Sequence, residues 1–280
     1  MKKILFPTDF SSAAENAFLN GLSLAKKLNA ELILLHVYEL PELGRALKTT
    51  TKEVYEMMEM EALEEFKAET KKLREIAEKN NMGDIPFSQE MLEGDSISRI
   101  VQAATKFKAD VIVMGTKGAT GLKEIFLGSI AAGVIDESPV NVICIPSATS
   151  HKNTVDKIAY LTNYKNEEIQ GFHDIVAFAN LFEAEVLCVH FDGDDSCSNG
   201  EEMKAWKEKI TVDAETKIKY QVLKGSDFEK ALIEFNENEK IDLIAVQPRK
   251  KNIFSRLFSK SVSKTIAHHL NIPLLTLPKK

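Results

Sequence analysis

The sequence predicts an α/β fold built twice in tandem. Three observations carry that prediction. Strand and helix signals alternate along the chain. The strand candidates are near-continuous apolar runs, the pattern of parallel strands covered on both faces by helices. The second half then repeats the first, and 280 residues suffice for two ordinary domains, each with its own core.

In order, Lys3-Ile-Leu-Phe-Pro7 is a short apolar strand stopped by proline and ending at Thr8-Asp9. Ser11 or Ser12 can cap the helix that follows, and Glu15 completes a capping-box pattern with Ser12. That helix carries Ala14, Phe18, Leu22, Ala25 and Leu28 on a helical period and ends near Asn29. Glu31-Leu-Ile-Leu-Leu-His-Val37 is the second strand. Residues 42–81 are rich in Glu, Lys and Met, and Val54, Met58, Ala62 and Phe66 repeat at i+4, which gives one long amphipathic helix. A third strand is expected over residues 85–92. Gly94-Asp-Ser96 then caps a helix with Ile97, Ile100, Val101 and Ala104 on one face. The strand from Val111 to Met114, a glycine-rich stretch, a helix from about Ser129 to Glu137 and the strand Asn141-Val-Ile-Cys-Ile-Pro146 complete the half.

The repeat is read by superposing the halves. Lys157-Ile-Ala-Tyr-Leu-Thr-Asn163 lies over Lys3 to Asp9, and Glu185-Val-Leu-Cys-Val-His190 lies over Glu31 to His36 at the same offset. Asp242-Leu-Ile-Ala-Val246 matches Asp110 to Met114, and Leu274-Leu-Thr-Leu-Pro278 matches Val142 to Pro146, at a smaller shared offset. The second copy is therefore shorter, and the loss falls where the first has its long acidic helix, since only residues 201–212 fill that place. We expect one domain over residues 1–147 and another over 154–280, joined through the Ser-Ala-Thr-Ser-His-Lys-Asn segment.

Composition narrows the function classes. The formal net charge of −6 argues against a nucleic-acid binder, whose phosphate contacts need a basic surface. No apolar run approaches the ~20 residues of a membrane span, and Met1-Lys-Lys-Ile-Leu-Phe-Pro7 is too short an apolar run for a signal peptide. Cys144 and Cys188 sit inside apolar runs without zinc-ligand spacing, which suits a reducing cytoplasm.

The stretch after Val111-Ile-Val-Met114 carries the chemistry. Gly115, Gly118 and Gly121 follow the strand, and Gly128-Ser129 opens the next helix. Glycines let backbone approach a ligand, and a helix start offers unpaired N–H groups and a positive dipole end to an anion. Gly115, Gly118 and Gly128 at this spacing after a buried strand read as a phosphate cradle, against the plainer reading of turn glycines, and Gly121 lies outside the spacing that matters. Ser129 reads equally as a cap and as a phosphate contact, and Lys117 as a phosphate partner or a solvated side chain. Asp9 closes the first strand at the carboxyl edge of the sheet, where ligands bind in open α/β sheets, although it can also cap the following helix. His36 and His190 are read as structural residues at strand ends. His268 and His269, adjacent on a helix, do not form a metal site.

Both halves resemble the universal stress protein family. The resemblance rests on Phe6-Pro7-Thr8-Asp9, on Leu34-Leu35-His36-Val37, and above all on Gly115-x2-Gly118-x9-Gly128-Ser129 after Val-Met. It implies, in each half, a Rossmann-like (adenine nucleotide alpha hydrolase-like) five-stranded parallel sheet of order 3-2-1-4-5. It implies pairing of two such domains through their last strands, here internally, with room for a homodimer. It also implies ATP, alone or with Mg2+, bound through Pro7, Thr8, Asp9, Val37, Met114, Gly115, Thr116, Lys117, Gly118, Gly128, Ser129 and Ile130. By the same analogy Asp9 contacts the adenine or ribose side and Val37 lines the adenine pocket.

The second half departs from this pattern. Gly115, Gly118 and Gly128 align with Gln247, Lys250 and Lys260, Asp9 aligns with Asn163, and only the serine is kept, as Ser261. The first domain is thus expected to hold ATP and the second not to. Arg249, Lys250, Lys251, Arg256, Lys260 and Lys264 crowd a stretch without acids, read as a solvated face, with an anionic partner or a relocated phosphate site as the alternative. No Ser-His-Asp order, Walker lysine or Ser-Gly-Gly loop is visible, so no catalytic residue is assigned and at most slow ATP hydrolysis is expected. The leading reading is an ATP-binding regulatory stress protein with an unidentified protein partner. The alternative is a nucleotide-independent interaction module of the same fold, and a third is a hydrolase or transferase using ATP.

Overall fold

The structure, a computed structural model, describes residues 2–40, 51–116, 128–150, 154–193, 200–210, 216–248 and 271–278. The first half runs β1 (Lys2–Pro7), α1 (Ser12–Leu28), β2 (Ala30–Tyr38), α2 (Thr51–Lys79), β3 (Phe87–Glu93), α3 (Ser96–Phe107), β4 (Val111–Gly115), α4 (Ser129–Glu137) and β5 (Asn141–Ile145). The second runs β6 (Lys157–Leu161), a single 3-10 turn (Asn166–Glu168), α5 (Ile169–Asn180), β7 (Glu185–Asp192), α6 (Gly200–Lys207), β8 (Ile218–Lys224), α7 (Phe228–Glu239), β9 (Leu243–Val246) and β10 (Leu274–Thr276).

All ten strands form one sheet in the order β3-β2-β1-β4-β5-β10-β9-β6-β7-β8. Each half is parallel throughout, with the expected order 3-2-1-4-5 in its own count. The halves meet at an antiparallel pair, β5 with β10, which sets Leu275 against Ile143 and makes the complete sheet mixed. Its two faces bury separate cores. One packs Phe18 and Leu22 of α1 and Phe172 and Ile175 of α5 against Ile4, Phe6, Ile158 and Leu275. The other packs α3, α4 and α7 through Ile100, Val134 and Phe235. Equivalent aspartates lock the strands in register: Asp110 accepts from Lys3 N at 2.7 Å, and Asp242 from Lys157 N at 3.1 Å.

Two local expectations change. Ser11, not Ser12, caps α1 and accepts from Ala14 N at 3.3 Å, so the Ser12–Glu15 capping box does not form. The cause is Asp9, whose Oδ1 takes both the backbone N–H and the hydroxyl of Ser11, at 3.1 and 2.7 Å, and holds that residue at the cap. The i+4 stripe of α2 is also less buried than its periodicity suggests. Val54, Met58 and Ala62 are only half-buried, and full burial begins at Phe66 and continues through Thr70, Leu73 and Ala77. The helix simply outruns the surface available to cover it.

Leu275→Ala removes a fully buried side chain from the seam between the halves, and we expect it to cost about 2–5 kcal/mol in urea denaturation. Trp206, the only tryptophan, is buried in the second half and reports the transition by fluorescence. The buried thiols give a pH test. Burial pushes Cys144 up to about 12, and Cys188 is raised by the same cause. An unfolded chain ionises its thiols above about pH 8.5 while the native one does not. Stability therefore falls from that pH upward, and both thiols resist a thiol reagent at pH 8 until the chain is unfolded.

Candidate functional site

The strand order reverses beside β1, because β2 lies on one side of it and β4 on the other. Such a switch point leaves a crevice outside the carboxyl ends of the strands. A cleft of about 180 Å³ occupies that crevice. Its walls are the ends of β1 (Pro7, Thr8, Asp9), β2 (Leu35, Val37) and β4 (Met114, Gly115, Thr116), together with Ala14, Ser96, Ile100 and the start of α4 from Gly128 to Ala131. Ten of the residues singled out from sequence are thereby brought together, while Lys117 and Gly118 lie outside the described residues.

The floor is rigid. Thr8 donates its N–H to Leu35 O at 2.9 Å, and its hydroxyl accepts from Phe10 N at 3.0 Å. Phe10 sits in the left-handed region at φ 57°, a strained position for a bulky residue. The strain is held by ring packing, with the Phe10 and His36 centroids 4.9 Å apart and Phe66 behind both. His36 Nδ1 lies 2.9 Å from Thr8 O, and because a carbonyl only accepts, this nitrogen carries the proton. That fixes the tautomer and the ring orientation of His36. Asp9 stands exposed at the rim, with Oδ1 engaged by Ser11.

The polar wall is the start of α4. The N-termini of α1, α3 and α7 are closed by the side chains of Ser11, Asp95 and Asp227. Ser98 holds the Asp95 carboxyl below its ordinary pKa through hydroxyl and backbone hydrogen bonds. Gly128 caps α4 without any side chain, so the first turn, which lines the cleft, has no side-chain acceptor from its cap. Gly128 also donates its N–H to Thr116 O at 2.7 Å, and a Cβ there would stand 3.1 Å from that oxygen. The glycine is needed for this close approach, since its φ of −57° is open to any residue. Thr116 itself is buried at 6% exposure, and its Oγ1 has no hydrogen-bond partner among the described residues. A buried, unpaired hydroxyl beside an uncapped helix start is what a bound anion would satisfy.

Sequence reasoning missed Ala14, Leu35, Ser96, Ile100 and Ala131. Ser96 follows the α3 cap, and the available signal was topological: helices that follow parallel strands start at one common edge.

The second half keeps the floor and replaces two of the small residues that line the cleft. Thr162 O meets His190 Nδ1 at 2.9 Å, Thr162 Oγ1 accepts from Tyr164 N at 2.9 Å, and Tyr164 repeats the left-handed φ of 57°. Where the first half has Ala14, the second has Glu168, 1% exposed, whose Oε2 accepts from Thr162 Oγ1, Asn163 N and Lys165 N at 2.8, 3.0 and 3.1 Å. Where the first half has Gly115, the second has Gln247, packed so tightly on Gly171 that a Cβ there would come within 2.4 Å of Gln247 Oε1. Lys250, Lys260 and Ser261 lie outside the described residues.

These features can be set beside known proteins. The model of the universal stress protein family matches residues 1–146 and 172–278. A universal stress protein of Methanocaldococcus jannaschii is 35% identical over 145 residues, spanning 51% of this chain and 81% of that protein. A second from the same organism is 35% identical over 164 residues, spanning 53% of this chain and 97% of its own length. A solved universal stress protein of Archaeoglobus fulgidus covers 99% of this chain and 96% of its own, with a TM-score of 0.67 at 20% identity, and shares the fold. The relative from M. jannaschii that is nearly fully covered is thus one half long, whereas the A. fulgidus structure spans both halves. The chain belongs to the universal stress protein family and carries two of its domains in tandem.

Proposed function

We propose that the first domain, residues 1–147, binds ATP and that the protein acts as a nucleotide-dependent regulator in the stress response. The observation that carries this reading is the unpaired Thr116 hydroxyl, buried beside the uncapped start of α4 at the switch point of the sheet. The phosphates would lie on the N–H groups of Ser129 and Ile130, with the Ser129 hydroxyl, Gly115 and Thr116 beside them. Lys117 and Gly118 belong to the same loop by sequence. The base would rest between Val37 and Met114, with Pro7, Thr8 and Asp9 on the base and ribose side. Mg2+ would arrive with the phosphates of the nucleotide. This reading needs no catalytic residue. Cytoplasmic residence fits the free, buried thiols of Cys144 and Cys188.

The second domain, residues 154–280, has Glu168 and Gln247 in the equivalent space. A buried carboxylate there opposes an anionic ligand, which favours a nucleotide-independent interaction role for this half.

Calorimetric titration of the purified chain with Mg-ATP is expected to give one site per chain and a raised Tm. No heat and no thermal shift at millimolar ATP would remove the ATP reading and leave the interaction module. Gly128→Lys, which copies the second half, should abolish binding because any Cβ there presses on Thr116 O. Thr116→Val keeps the shape and deletes an unpaired buried hydroxyl. Stability should stay level or rise, while ATP affinity drops about tenfold, or ~1.4 kcal/mol. A purely structural threonine would show the opposite pattern.

A further inference from the structure

The cleft has a polar wall at the start of α4 and an apolar one beside it. Leu35, Val37, Ile100 and Met114 line the apolar part, and all four pack in or against the core beneath α3 and α4. No charged side chain stands among them, so this compartment suits a neutral group. Ser96 lies one helical turn before Ile100 on the same face of α3. Ile100 is buried and Ser96 half-buried, which sets the serine over the compartment, on its outer side. Ser96 has no part in the cap of α3, where Ser98 gives both its N–H and its hydroxyl to Asp95.

The duplication supplies a comparison within the molecule. Asp95 and Asp227 cap α3 and α7, and the buried Ile100 and Leu232 follow their caps at the same distance along the chain. Ser96 therefore corresponds to Phe228. His36 and His190 each meet a threonine carbonyl at 2.9 Å, so Val37 and Phe191, the residues after them, correspond as well. The floor is alike in both halves, with Leu35, Ile100 and Met114 matched by Val189, Leu232 and Val246 in the same core. What stands on the floor differs. Phe191 and Phe228 both pack on that core, and their rings meet edge to face with centroids 5.2 Å apart and planes at 83°. In the second half a ring carried by α7 thus stands where the first half has the small Ser96. We propose that Ser96 is a specificity-determining residue of the first domain. Its small side chain leaves room for a flat, neutral heteroaromatic ring between Val37 and Met114, and Phe228 is the ring that the second half supplies from its own chain. The inference rests on the reading that the first domain binds ATP, and it makes the adenine ring the group that Ser96 admits.

Calorimetry on the full chain and its variants tests this with two probes, Mg-ATP and Mg-tripolyphosphate, the second carrying phosphates without a ring. The wild-type chain should hold ATP about tenfold or more tightly than tripolyphosphate. Ser96→Phe, which copies the second half, should bring ATP down to the tripolyphosphate level with its circular dichroism unchanged. Val37→Phe narrows the compartment from β2 and should do the same, so the outcome does not hang on one variant folding. Ser96→Ala keeps the opening and should hold ATP within about threefold of wild type. Phenylalanine variants that keep the preference for ATP overturn the inference and leave the ATP reading standing, as does a wild-type chain that binds both probes equally. A loss in Ser96→Ala as large as that in Ser96→Phe also overturns it, because the hydroxyl and not the opening would then decide. A wild-type chain that binds neither probe removes the ATP reading itself, and the inference with it.

Discussion

The antiparallel meeting of β5 and β10 is the constraint on which the rest of the structure depends. Each half ends in a short strand of almost wholly buried residues, Asn141–Ile145 and Leu274–Thr276. Left alone, each would be an exposed apolar edge open to indiscriminate pairing. Pairing them with one another removes both edges and merges the two cores on each face. The edges that remain, β3 and β8, are half-exposed and carry Glu90 and Glu93 on one and Lys219 and Lys224 on the other. Charged, partly polar strands suit the outside of a sheet for the same reason that apolar ones do not.

The duplication shows which interactions belong to the scaffold and which to the site. The threonine hydroxyl on a backbone N–H two residues on, the left-handed aromatic and the histidine on the threonine carbonyl occur in both halves with nearly equal distances. These hold the turn between first strand and first helix, and neither half dispenses with them. Around this turn, divergence falls on what lines the crevice. Ala14 gives way to Glu168 and Gly115 to Gln247. A buried carboxylate is costly unless hydrogen-bonded, and Glu168 accepts from three donors of its own turn. Gln247 is accommodated because Gly171 offers no side chain against it.

Much of this architecture was legible in the sequence, and the exceptions have physical causes. Interior strands declare themselves as apolar runs because both of their faces are covered. β8 carries Lys219, Gln221 and Lys224 among its apolar residues, as an edge strand does, and its run is too broken to be read. The cap of α1 was ambiguous between adjacent serines, and the choice fell to Asp9, a residue of the preceding turn. For α2 the periodicity reported the docking face correctly but not how far the neighbouring surface extends beneath it. The cleft was legible where one loop supplies it. Ser96 and Ile100 were not, because they arrive from a helix whose place is set by the whole sheet.

One consequence follows from the reversal at β5 and β10. Two copies of a fold joined by antiparallel strands present their carboxyl edges in opposite directions. The crevice beside Thr116 and the equivalent edge beside Gln247 therefore lie at opposite ends of the sheet. In outline the molecule has a two-fold axis; in chemistry it has a head and a tail. A binding partner that grips features common to both halves has two equivalent landing places, whereas one that senses the state of the crevice has a single approach. A protein assembled from a repeated part has in this way become vectorial.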